Sequence, residues 1–167
     1  MAGVSIRIEG DQLALRQLEE AARRIEHPEP VWNEIGQLLI TSTQMRFELE
    51  RAPDGNPWPP SIRVLTEGGK TLTDTAHLRN SIAKEVFADG VAVGTDLIYA
   101  GVHQFGAVIT AKTDAGLMFK IGGHFVRKDA VTIPQRAFLG VDREDEAEMA
   151  LAWEGWLGEP LGASHAH

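Results

Sequence analysis

Residues 52–60 read APDGNPWPP, and four prolines in nine positions deny this stretch any regular structure. Proline fixes φ and removes a backbone donor, while Asp54-Gly55 favours a turn, so neither a helix nor a central strand crosses it. The stretch divides the chain into a helix-patterned N-terminal third and a remainder of short, β-patterned runs. Trp58 sits among the prolines, where a rigid loop holds a large aromatic. Two roles suit it: a plug pinning the loop to the core, or an aromatic anchor for a partner subunit.

On the N-terminal side, Val4, Ile6 and Ile8 alternate with polar residues as in a half-buried strand. Asp11 is placed to cap a helix in which Leu15, Leu18, Ala22 and Ile25 recur at helical spacing. Pro28 and Pro30 end that helix and start another, in which Ile35, Leu38, Leu39, Met45 and Leu49 form the apolar stripe. The two helices either pair antiparallel or pack on a common sheet.

Beyond the proline loop and a polar stretch, LTDTAHLRNSI predicts a turn and a short helix, capped by Asp74 or Thr75, with Leu78 and Ile82 inward. Lys84 and Val86 then face Val91 and Val93 across an Asp89-Gly90 turn, a strong hairpin signal. Ile98, Val102 and Phe105 share one face of a short helix that Gly106 terminates in a left-handed conformation. Residues 107–133 predict two or three strands with a turn at Gly122-Gly123 and a polar, flexible stretch from Thr110 to Gly116. Asp142 caps a last helix whose apolar side is Ala147, Ala150, Leu151 and Trp153 or Leu157. The sum is an α+β domain: mainly antiparallel sheet packed with N-terminal helices and a C-terminal helix, with an extended hairpin or arm. One domain spans 1–160, and 161–167 form a disordered tail.

Composition narrows the chemistry. The 167 residues include no cysteine, which removes disulfides, thiolate metal sites and cysteine nucleophiles. Sixteen basic against 24 acidic residues give a net charge of -8, unlike a protein that coats nucleic acid. Residues 142–159 alone net -6, from seven acids and Arg143. Lys112, Lys120, Arg127 and Lys128 are the one local basic concentration, in or beside the predicted arm. No nucleophile elbow, phosphate-binding loop or dinucleotide fingerprint is present. Asp74, His77 and His103 are the least implausible catalytic set, and a small metal-dependent or histidine-based hydrolase is the alternative to a structural role. No apolar run approaches the roughly 20 residues that span a bilayer.

Four ordered blocks carry a resemblance: FELERAPDGNPWPP (47–60), LTDTAHLRNSI (72–82), GTDLIYAGVHQFGAVI (94–109) and IPQRAFLGVDREDEAEM (133–149). With them the chain resembles the phage virion morphogenesis, or tail completion, proteins of Mu-like and P2-like phages. Ala76 departs from the family, whose members often carry glycine there. The resemblance implies a non-enzymatic virion component for tail completion and head–tail joining, in the tail or neck after assembly in the host cytoplasm. Its implied partners are copies of itself in a ring (a hexamer by analogy), the tail tube or neck, and head–tail connector proteins. DNA would only pass through the ring, and no membrane or cofactor is implied. The signature residues are Trp58, Asp74, Thr75, Tyr99, His103, Gln104, Phe105, Gly106, Arg136 and Phe138. Asp74 and Thr75 are expected to cap a turn. Tyr99, His103, Gln104 and Phe105 would tie the central helix to the sheet. Arg136 would make a planar multi-donor contact and Phe138 would be buried.

Overall fold

The computed structural model describes residues 12–121 and 123–158. The expected strand at 4–9, the Asp11 cap and the 161–167 tail lie outside them.

A long helix, α2 (Glu29–Leu49), is the spine, with Pro30 in its first turn as the sequence requires. The hairpin of β1 (Ala83–Phe87) and β2 (Gly90–Gly94) packs on it. The C-terminal helix α6 (Arg143–Gly158) packs on it too, and α1 (Gln12–Glu26) rests on α6. Two short helices flank the middle of the chain, α4 (His77–Asn80) and α5 (Ala100–Phe105). A further one, α3 (Ile62–Glu67), lies in the stretch read as merely polar. Its signals were Ser61, whose hydroxyl accepts from the Val64 N–H, and Gly68 at the C-cap.

The α+β class holds, with the strands shared among three two-stranded antiparallel ladders. In the first, Lys84 opposes Val93 and Val86 opposes Val91, as expected. Phe87 opposes Gly90, so the turn residues are Ala88 and Asp89, one position earlier than read. The arm contains four strands, not two or three. β3 (Ala107–Thr110) pairs with β6 (Ala130–Ile133), and β4 (Leu117–Ile121) pairs with β5 (His124–Lys128). Between the ladders the Ala111 N–H donates to Asp129 O at 2.8 Å, so one ladder leads into the next, and β4 returns beside α3. The excursion at 112–116 is held by the Arg127 guanidinium, which donates to the carbonyls of Asp114 and Ala115. Gly122, half of the expected tip turn, lies outside the described residues.

The core gathers Phe47, Trp58, Leu78, Ile82, Ala100 and Phe138. Phe47 stands edge-on to Trp58 and tilted to Phe138, each at 5.3 Å between centroids, a geometry that adds to the burial itself. A second contact joins α2 to α6 through Trp32 and Trp153, edge to face at 5.0 Å.

Four helix faces differ from the periodicity. Leu15, Leu18, Ala22 and Ile25 of α1 face solvent, because α1 docks through Glu20, Ala21 and Arg24. Arg24 lies over the Trp156 ring and donates to Trp156 O at 2.9 Å. In α2 the buried side chains are Val31, Ile35, Thr43, Arg46 and Phe47, while Met45 and Leu49 are exposed. In α6 the inward residues are Asp145, Met149, Ala152, Trp153 and Trp156. Ala147, Ala150, Leu151 and Leu157 point outward. Tryptophans at 32, 153 and 156 claim the inter-helix space and rotate the smaller apolar residues out of it. The same fate meets α5, where Ile98 precedes the helix and is 100% exposed, Phe105 is 75% exposed, and Ala100 is buried instead.

The start of α4 explains the departure at position 76. The cap is neither Asp74 nor Thr75 but Ala76, at φ 56° and ψ 10°. Thr75 Oγ1 accepts from the His77 N–H at 3.4 Å, while Asp74 pairs with Arg63 at 3.6 Å. A left-handed alanine costs about 1–2 kcal/mol that glycine avoids. Ala76→Gly is therefore expected to stabilise the protein by about 1 kcal/mol, read as a higher urea midpoint with unchanged slope. An unchanged or lower midpoint would contradict the left-handed assignment.

Candidate functional site

After β6 the chain runs through residues 134–142 without a strand partner, so its backbone groups need other partners. Side chains from three distant elements supply them. From α5, Gln104 Oε1 accepts from the N–H groups of Phe138 and Leu139, each at 3.0 Å, and its Nε2 donates to Leu139 O at 2.9 Å. From α2, Arg46 Nη1 donates to Gly140 O at 2.7 Å and to Phe138 O at 3.3 Å. From the proline loop, Trp58 Nε1 donates to Ala137 O at 2.9 Å.

The segment reciprocates. Arg136 Nε donates to Pro59 O at 2.6 Å and Nη2 to Pro60 O at 3.2 Å, the planar multi-donor contact expected of it. The Arg136 N–H also donates to His103 O at 2.7 Å, and Gln135 Nε2 donates to Gln104 O at 3.1 Å. Phe138 inserts fully into the core.

Glycine is required at two points of this knot. Gly106 leaves α5 at φ 73° and ψ 162°, and a Cβ there would stand 3.0 Å from Gln135 N and 3.1 Å from Ile133 O. A Cβ on Gly140 would lie 2.6 Å from Pro53 Cγ, so the proline loop and the 134–142 segment meet backbone against ring.

Arg46 also closes the segment onto α6. Its Nη2 donates to Asp142 Oδ2 at 3.0 Å and to Asp145 Oδ2, the shorter of the two contacts. The two carboxylates cap α6 reciprocally. Asp142 Oδ1 accepts from the Glu144 and Asp145 N–H groups, and Asp145 Oδ2 accepts from the Asp142 N–H, all at 3.0 Å. Asp142 was legible as a cap. Arg46 was missed, although a lone arginine amid an apolar helix stripe was its signal. Asp145 was missed as well, although its spacing from Asp142 marks a capping box.

Trp58, Gln104, Gly106, Arg136 and Phe138 thus converge on one structural knot, and Trp58 is a core plug. Asp74, Thr75, Tyr99 and His103 gather elsewhere, on an open groove of about 270 Å³ shared with Ser61 and His77. Among the described residues no hydrogen bond or ion pair joins Ser61, Asp74, His77 or His103 to one another. The Ser61 hydroxyl is occupied as a helix cap. Burial first, then the Arg136 guanidinium, holds His103 below the ordinary imidazole pKa, and its ring meets Tyr99 edge-on at 6.3 Å. Tyr99 is part-exposed and Phe105 largely exposed, and neither ties α5 to a sheet; Gln104 ties it, and to the 134–142 segment. The arm's basic residues do not share a face. Lys120 and Arg127 lie on one side of the ribbon, Lys128 on the other, and Lys112 in the excursion.

Two measurements test the knot. Gln104→Ala leaves two donors and one acceptor of the segment unpaired and is expected to cost about 2–4 kcal/mol; Gln104→Glu keeps the acceptor and costs less. For acid stability, the Asp145 N–H, then the Arg46 guanidinium, hold Asp142 below the ordinary carboxylate pKa. Because the folded value is the depressed one, this stabilisation is complete above the unfolded value of about 4 and is lost as pH falls through the folded value. Asp142→Asn should flatten the acid limb of a stability–pH curve and leave its shape above pH about 6 unchanged. An identical acid limb in the variant would remove Asp142 from this account.

Among the described residues no helix is long and apolar enough to cross a membrane. No solved structure matches the chain. It is similar to the Mu-like prophage FluMu G protein 2 of Haemophilus influenzae, with 28% identity over 146 residues, covering 87% of this chain and 90% of that protein. Residues 9–157 match the phage virion morphogenesis family, a span that takes in the helical spine, the arm and every element of the knot. The chain is a member of the phage virion morphogenesis family.

Proposed function

We propose that this protein is a non-enzymatic structural subunit that completes the phage tail and joins it to the head, assembling with copies of itself as a ring at the neck or tail end. The reading is supported first by its family. The structural observation that carries it is the amount of large apolar surface left in solvent. Leu18 is 67% exposed, Phe125 76%, and Ile98 and Phe105 join them on separate faces. On this reading these side chains are covered by partners in the assembled virion. The partners are other copies, the tail tube or neck and the head–tail connector, with DNA passing through the bore without sequence readout. The geometry favours this over a histidine-based hydrolase, since among the described residues Ser61, Asp74, His77 and His103 are not joined into a nucleophile, base and orienting group.

The test is deletion of the gene from the phage or prophage that carries it, followed by electron microscopy of induced lysates. DNA-filled heads and separate, unjoined tails are expected, with joined particles restored by supplying the protein in trans. Normal joined virions in the deletion strain would overturn the reading.

A further inference from the structure

The stripe of α2 that periodicity assigns to the core instead floors an open groove. Leu38, Met45 and Leu49 line it, and the first turns of α6 form its far wall. The groove is about 560 Å³. Its rim is acidic in a specific way: Asp142 and Asp145 are consumed by Arg46, whereas Glu34, Glu144 and Glu148 form no ion pair among the described residues. An apolar floor under uncompensated carboxylates suits an occupant that is both apolar and cationic.

The arm carries such a surface. Met118 opposes Arg127 and Lys120 opposes Phe125, so these four share one face of the β4–β5 ribbon, and all four are exposed. Arg127 is turned onto the excursion, leaving Lys120 as the cation of this face without an ion pair among the described residues. Residues 110–130 net +2, from four bases and two acids, against -6 for residues 142–159.

We propose that the Met118–Lys120–Phe125 face of one copy docks into the α2–α6 groove of a second copy, with Lys120 meeting Glu144 and Glu148. The two surfaces share no residue, so each copy keeps one of each free after a single contact, and in the ring the contact repeats head-to-tail until rotation closes it. This rests on the ring reading above, and it names the surfaces that the ring would use. Salt weakens the contact, because Lys120, Glu144 and Glu148 are all surface charges.

The absence of cysteine makes the test clean. Lys120→Cys and Glu148→Cys are prepared separately in the full chain, checked by circular dichroism, mixed and oxidised. Cross-linked dimers in the mixture, with little dimer from either variant alone, are expected. In parallel, Lys120→Glu and Glu148→Lys should each weaken self-association by about tenfold or more, and mixing or combining them should restore it. If wild-type protein assembles but the mixture yields no cross-link and the charge swap gives no rescue, this docking is wrong while the assembly reading stands; the exposed α1 stripe would then be the next occupant to cross-link. If wild-type protein stays monomeric at its highest soluble concentration, both with and without purified tails, this docking and self-assembly fail together.

Discussion

The structure depends on how a strandless segment is satisfied. Residues 134–142 bury Arg136 and Phe138, and backbone groups buried with them cannot remain unpaired without a cost of roughly 1–3 kcal/mol each. Three side chains solve this from three directions: Arg46 from α2, Trp58 from the proline loop and Gln104 from α5. Because each element is anchored to the same stretch of chain, their relative positions are set together. The rigidity of the proline loop matters here, since a flexible loop would lose part of the gain to ordering entropy. Arg46 carries the connection further by bridging the segment to the capping carboxylates of α6. Removing the charge while leaving Asp145 buried is the costly direction, because a carboxylate stripped of its guanidinium keeps its desolvation penalty.

Much of this was legible before the structure, and the pattern of what was not has a physical cause. Elements announced by backbone chemistry were placed well: the proline-started α2, the first hairpin, the Gly106 exit and the Asp142 cap. These signals are local, so tertiary context has little power to override them. Periodicity fared worse. It identified α1, α2 and α6 as helices but misassigned parts of their buried faces, because Trp32, Trp153 and Trp156 take the space between the helices. Leu15, Leu18, Met45, Leu49 and Leu151 are apolar at helical spacing and yet face solvent. The expected core residues that failed are exposed in this chain.

The site divides along the same line. Gln104, Arg136 and Phe138 could be given roles from chemistry and from family likeness, and the roles of Arg136 and Phe138 emerged as expected. Gln104 makes its contacts to a segment and not to a sheet, a distinction that spacing alone does not encode. Phe105, adjacent to Gln104, points the other way because successive residues of a helix diverge by about 100°. Arg46 escaped notice because an arginine within an apolar stripe reads as a solvated charge unless the carboxylates that receive it, almost a hundred residues later, are already in view.

A division of labour between neighbouring residues follows. Trp58, Gln104, Arg136 and Phe138 spend their polar and apolar groups inside the chain, leaving little free for a partner. Large exposed side chains lie on α1, the α2–α6 groove, α3, α5 and the arm. A surface presented this way binds with less ordering cost than one on an untethered loop, since its supporting elements are already fixed. In the assembly proposed above, the knot would act without contacting a partner: loosening it would weaken docking by spreading the proposed docking faces over many orientations, even with every residue of those faces unchanged.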